Sequence, residues 1–125
     1  NDIQTYLNFQ SRIDRIKDKF LAFLIQQKQN GKKVIAYGAA AKGNTLLNYA
    51  GVKPDLLSSV LDAAKSKQGQ YLPGSHIPIL NPDHIIKIKP DCILILPWNI
   101  HSEIIKKLNY YKIENTVFKS INDFK

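Results

Sequence analysis

The chain contains no methionine, one cysteine and one tryptophan, and only 10 acidic residues against 18 lysines and arginines. Each shortage excludes something. A lone Cys92 cannot form an internal disulfide, and its place in the apolar run Cys92-Ile93-Leu94-Ile95-Leu96 reads as a buried, inert thiol rather than a nucleophile. No apolar stretch approaches the roughly 20 residues of a membrane helix, and no basic segment leads into a short apolar one as in a signal peptide, so a cytoplasmic location is expected. The absence of methionine, with the start Asn1-Asp2, suggests a piece excised from a longer polypeptide. Glycine and proline, six of each, are too few for a linker or a disordered segment, and 125 residues are expected to fold throughout as one domain. The deficit of acids leaves a formal net charge of +8, which favours anionic partners. The lysines are scattered over helix faces and no nucleic-acid-binding motif accompanies them, so nucleic acid is not the expected one.

What is present alternates between helix and strand patterns. Tyr6, Phe9, Ile13, Ile16, Phe20 and Phe23 recur in steps of three and four between charged residues, which predicts a long amphipathic helix over residues 3–29, stopped at Gly31. The core then runs over 32–125. Val34-Ile35-Ala36-Tyr37 reads as a strand, followed by a small-residue turn and a helix over Asn44–Tyr49; a second strand, Ser59–Asp62, closes a β-α-β unit. Residues 65–75 lack periodicity and read as a long exposed loop of the functional sort. Ile77-Pro78-Ile79 reads as an edge-like strand, and Asn81-Pro82-Asp83 as the cap of a short helix reaching Ile88. Cys92–Leu96 reads as a strand buried on both faces, Asn99 as the cap of a helix over Ile100–Leu108, and Thr116-Val117-Phe118 as a last strand. The pattern is that of an α/β protein: a Rossmann-like three-layer sandwich with a mostly parallel sheet, preceded by the long helix.

The turn Gly38-Ala39-Ala40-Ala41-Lys42-Gly43 carries the chemistry. It matches the outer glycines of G-x-G-x-x-G, but Ala40 stands at the middle position, where a Cβ disfavours the usual close approach of an NAD or FAD pyrophosphate. It also fits a P-loop up to the last pair, where Asn44 replaces the lysine, which argues against nucleotide hydrolysis. Common to both comparisons are free backbone amides at a helix start, the cation of Lys42 and the hydroxyl of Thr45, all suited to an anion. Asp62, at the end of the second strand, reads either as a ribose-binding carboxylate or as a helix cap. Trp98-Asn99 follows the buried strand and should lie at the carboxyl edge of the sheet, where Trp98 would stack on a base, cover a sugar, or pack in the interior. His76 has no metal-ligand spacing around it and reads as a substrate contact or a loop-fixing group; His84 and His101 receive no role, and no nucleophilic triad can be built.

Three ordered stretches together resemble one family: Ala36–Tyr49, Lys67–Ile79 with its Tyr71-Leu72-Pro73-Gly74-Ser75-His76 segment, and Lys89–Asn99. They are similar to the C-terminal domain of S-adenosylmethionine-dependent sugar C-methyltransferases, over about Lys33–Leu108. The resemblance implies a preceding zinc-binding segment and a methyltransferase domain that binds the donor. It further implies that the present domain holds a nucleoside-diphosphate deoxyketosugar against that donor. No catalytic residue carries over, and Ser75 stands where threonine is expected. The expected ligand contacts are Tyr37, Gly38, Ala40, Lys42, Gly43, Asn44 and Thr45 around the turn; Asp62; Ser75 and His76 in the loop; and Trp98 and Asn99 at the sheet edge. The expected partners are the nucleotide sugar and the chain's own methyltransferase domain. The rival reading is a stand-alone sensor binding a dinucleotide or CoA.

Overall fold

A computed structural model describes residues 1–125. Its sheet has five parallel strands in the order β3-β2-β1-β4-β5, with β1 at Val34–Tyr37, β2 at Val60–Leu61, β3 at Ile79–Leu80, β4 at Cys92–Ile95 and β5 at Val117–Ser120. Helices α1 (Asp2–Gln29) and α2 (Ala41–Tyr49) cover one face; α3 (Ile85–Ile88) and α4 (His101–Leu108) cover the other. The expected three-layer α/β sandwich with its leading helix is what forms.

Strand alternation explains why β1 and β4 show no polar face. Val34 and Ala36, with Cys92, Leu94 and Leu96, point into the layer of α1 and α2, where they meet Phe20, Leu24 and Leu47. Ile35, Tyr37, Ile93 and Ile95 point the other way, onto Ile85, Ile104 and Leu108. Both faces are dry, so the period of two is hidden within a continuous apolar run. The carboxyl-terminal turn Ile121–Phe124 completes the first layer by setting Phe124 against Phe20 and Phe23 at ring-centre distances of 5.5 and 5.4 Å.

The chain builds β1, β2 and β3 in one direction and then returns to place β4 on the other side of β1. The reversal puts a topological switch point between β1 and β4, and in open α/β sheets the crevice beyond the carboxyl ends of two such strands is where ligands bind. Gly38 and Leu96 are the first residues past those ends.

Several boundaries depart from the sequence expectations. Helix α2 begins at Ala41, so the turn is shorter than it looked. Pro78, which has no N–H, stays outside β3; its carbonyl accepts from Val60 N at 3.0 Å, and the strand proper is Ile79–Leu80. Thr116 is drawn out of β5 because its hydroxyl donates to the Pro90 carbonyl at 2.8 Å. Asn99 does not cap α4. It sits inside a 3₁₀ turn, Trp98–Ile100, and the residue flanking the helix is Ile100, with no side-chain cap. Asn81, by contrast, accepts from the Asp83 amide at 2.8 Å as expected of a cap.

Candidate anion-binding site at the sheet switch point

The turn after β1 is shaped by two glycines. Gly38 has φ +96°, and a Cβ on it would lie 2.5 Å from Cδ of Pro97, so the loops leaving β1 and β4 touch there. Gly43 lets α2 lie against the sheet, since a Cβ would come within 2.7 Å of Leu96 Cβ. Between them, Ala40 occupies the position that normally caps a helix, in extended conformation and with no side-chain acceptor to offer. The amides of Ala41, Lys42 and Gly43 therefore have no partner within the chain. Uncapped amides and the positive end of the helix dipole meet an anion's needs at this one place.

The turn itself is held from below by Asp62. One carboxylate oxygen accepts from Ala39 N at 2.8 Å and the other from Ala64 N at 2.8 Å. Lys67 Nζ donates to the Ala39 carbonyl at 3.1 Å, and Gln68 Nε2 to the Asp62 carbonyl at 2.8 Å, so the start of the 65–75 loop is strapped across the turn. The carboxylate that looked like a ribose ligand thus has both oxygens engaged by backbone.

Lys42, Thr45, Leu46 and Tyr49 form one flank of α2, and with Trp98, Ile121 and Lys125 they face Phe9, Gln10, Ile13 and Ile16 of α1 across a groove of about 430 Å³. Lys42 is exposed, and Trp98 is half-buried with its apolar body against the core. The Thr45 hydroxyl donates back to the Ala41 carbonyl at 3.0 Å, which leaves it only lone pairs to offer. The α1 wall is set by Tyr49, whose hydroxyl donates to the Asp14 carboxylate and accepts from Gln10 Nε2, while Lys17 Nζ lies 5.3 Å from its ring centre. Hydrogen bonding from Tyr49 holds the Asp14 carboxyl below its usual range, and the same bond pushes the Tyr49 hydroxyl up.

The other expected contacts are not brought to this groove. Tyr37 ends β1 on the opposite face, packed in the layer of α3 and α4; burial, then the nearby charge of Asp62, raises its hydroxyl pKa. Asn44 falls on the α2 flank away from Lys42, and its Oδ1 is buried with no partner. Asn48, on that same flank, donates to the Pro73 carbonyl at 3.0 Å, while Lys53 donates to Gly74 O at 2.8 Å. The Leu72–His76 segment is therefore anchored at the carboxyl end of α2, about 10 Å along the helix from the amides at its start. Ser75 is fully buried with an unpartnered hydroxyl, and His76, at φ +62°, stacks on Tyr71 with ring centres 4.4 Å apart. Asn99 is exposed beside Trp98 at the carboxyl edge. No group of three or more His, Cys, Asp or Glu residues gathers where a metal could be held, and no helix is long and apolar enough to cross a membrane.

Sequence reading missed the contribution of α1. Its apolar stripe is too wide for a helix that buries only Phe20 and Leu24 fully, and that excess at Phe9, Ile13 and Ile16 was the available signal.

The family model described as "C-methyltransferase C-terminal domain" matches residues 1–120. The C-methyltransferase NovU of Streptomyces niveus is 36% identical over 100 residues, which cover 80% of this chain and 24% of that protein. The chain thus spans about a quarter of the length of the curated relative it matches. It belongs to the C-methyltransferase C-terminal domain family.

Proposed function

We propose that this chain is the substrate-holding part of a cytoplasmic S-adenosylmethionine-dependent C-methyltransferase whose substrate is a nucleoside-diphosphate deoxyketosugar. The observation that carries the reading is the uncapped start of α2 at the switch point, with Lys42 and Trp98 lining the groove beside it. A diphosphate needs amide donors and a cation, and both are found there.

Within this reading residues 1–125 act as one unit, and the methyl donor, together with zinc, belongs to domains outside them. When bound there, S-adenosylmethionine supplies an electrophilic methyl group. The present residues contribute position: binding energy from the remote diphosphate holds the ketosugar carbon in line with that methyl group. Residues at the start of α1 support a docked neighbour of the same polypeptide, since Ile3, Tyr6, Leu7 and Phe9 are all more than half exposed along one helix.

The Cβ of Ala40 in the turn weighs against the dinucleotide-sensor reading, because a dinucleotide in the usual pose brings its pyrophosphate close to the backbone there. Replacing Lys42 by alanine tests the proposal by calorimetric titration with a nucleoside diphosphate sugar. Loss of one charge-assisted contact should weaken binding about ten- to a hundredfold. An unchanged dissociation constant in a folded Lys42→Ala protein would remove Lys42 from this site.

A further inference from the structure

Helix α1 runs past the body of the domain. Its carboxyl end leads through residues 30–33 into β1, and it packs on the sheet, so its amino end stands on the carboxyl-edge side, where α2 begins. Residues 1–9 are all exposed and Gln10 is the first to be partly covered, which leaves about 12 Å of helix standing clear. That stretch is not polar. Tyr6 lies one and two heptads ahead of Ile13 and Phe20, hence on the same helix face, yet it is 63% exposed while Phe20 is fully buried. Ile3, Leu7 and Phe9 beside it are each more than half exposed. The face that packs on the sheet thus continues beyond it with nothing underneath, and so short a run of helix draws little stability from its backbone alone.

Charge defines what would cover it. Phe9, Ile13 and Ile16 also wall a second groove, of about 400 Å³, whose remaining lining is Arg12, Arg15, Lys19 and Lys125, with no acidic side chain. Between residues 10 and 19 the only acids, Asp14 and Asp18, face Tyr49 and Lys17. An apolar centre flanked by unpaired cations fits a partner surface with an apolar centre and an acidic rim. A second copy of this chain does not fit, since it would bring the same cations up to one another on a protein that already carries +8. The relative NovU extends well beyond the matched part, which is 24% of it, so the same polypeptide has room for such a surface.

We propose that the amino-terminal part of α1, residues 2–19, is the docking surface for an acid-rimmed face of the methyltransferase domain of the same polypeptide. This deepens the reading above and rests on it. A domain seated there stands over the carboxyl edge of the sheet and roofs the groove beside Lys42, so α1 sets how the two domains are spaced across the bound substrate.

Amide hydrogen exchange of α1, followed in the 125-residue protein and in the full polypeptide that carries it, tests this. Amides of residues 6–12 should exchange at least tenfold more slowly in the full polypeptide, and ~1 M sodium chloride should remove most of that protection. Arg12→Glu combined with Arg15→Glu should abolish it, Arg12→Lys combined with Arg15→Lys should keep it, and Tyr6→Arg should abolish it. All three positions are exposed, so each variant of the 125-residue protein should keep the parent's urea midpoint and bind a nucleoside diphosphate sugar within twofold of it. Equal exchange in the two proteins, or full protection in the double glutamate variant, would overturn the docking surface even where the full polypeptide transfers methyl groups. Protection that grows with concentration in the 125-residue protein would hand the surface to a second copy and overturn it as well. Protection in a full polypeptide that methylates no nucleotide sugar would uphold the surface and count against the substrate reading alone.

Discussion

Asp62 shows how a single carboxylate changes meaning once its neighbours are known. From sequence it sits where a ribose ligand sits; in the structure it fastens the amides of Ala39 and Ala64, each at 2.8 Å. That pairing joins residues 23 positions apart, and no local pattern announces it. Replacing Asp62 by alanine leaves the two amides without acceptors and should destabilise the protein by about 2–4 kcal/mol, measured by urea unfolding. A variant as stable as the parent would mean that the turn does not depend on this acid. Cys92 was legible from its apolar run alone, because burial on both faces of a central strand is a property of the run itself. It is 2% exposed, and burial pushes its thiol up to about 11, with the charge of Lys119 acting the other way. Since the folded value exceeds the unfolded one, the stability conferred by the neutral thiol is complete below about pH 9 and is lost as pH climbs through about 11. Ellman's reagent at pH 8 should therefore label the folded protein no faster than it unfolds, and Cys92→Ala should flatten the alkaline fall in stability. Fast labelling of folded protein would contradict the burial.

The strand-turn-helix around Gly38 was readable because its signals are local: four apolar residues, then small ones, then a helix pattern. What could not be read is which neighbours press on the turn. Gly38→Ala brings a Cβ to 2.5 Å from Pro97 at φ +96° and should cost about 2 kcal/mol or more, whereas Gly51→Ala, at φ +71° with nothing within 4 Å, should cost only about 1 kcal/mol. Equal midpoints in urea for the two variants would show that the loops after β1 and β4 do not touch. The loop was legible as a loop, but not that its start crosses the turn through Lys67 while its end, with Ser75 and His76, is fastened at the far end of α2. Such a division depends on side chains of α2 facing two ways, which spacing within the loop does not encode. Helix α1 is tied to α2 through Asp14 and Tyr49, and Asp14's lowered pKa means that this tie is present above the usual carboxylate range near 3.8 and is lost as pH falls through the folded value. Tyr49→Phe should raise amide hydrogen exchange in the middle of α1 at neutral pH. No change in exchange would remove the tie from the account.

At the scale of the whole molecule, the all-parallel order β3-β2-β1-β4-β5 matters more than any side chain, because it alone decides that the turn after β1 and the edge after β4 share a crevice. The alternation of strands and helices made that order readable, since short right-handed crossovers leave few arrangements for parallel strands. The groove was not readable, because it needs α1 and α2 side by side across more than thirty residues of chain. On the proposed reading, this chain should give no methylated product when incubated alone with S-adenosylmethionine and nucleotide ketosugars. The account depends most directly on what this crevice prefers. Calorimetric titration of the protein with a nucleoside diphosphate sugar, the matching nucleoside diphosphate, NAD and CoA settles that preference in one experiment. The account predicts that the nucleotide sugar binds most tightly, its diphosphate next, and NAD and CoA at least tenfold more weakly than either; NAD or CoA binding more tightly than the nucleotide sugar would contradict it.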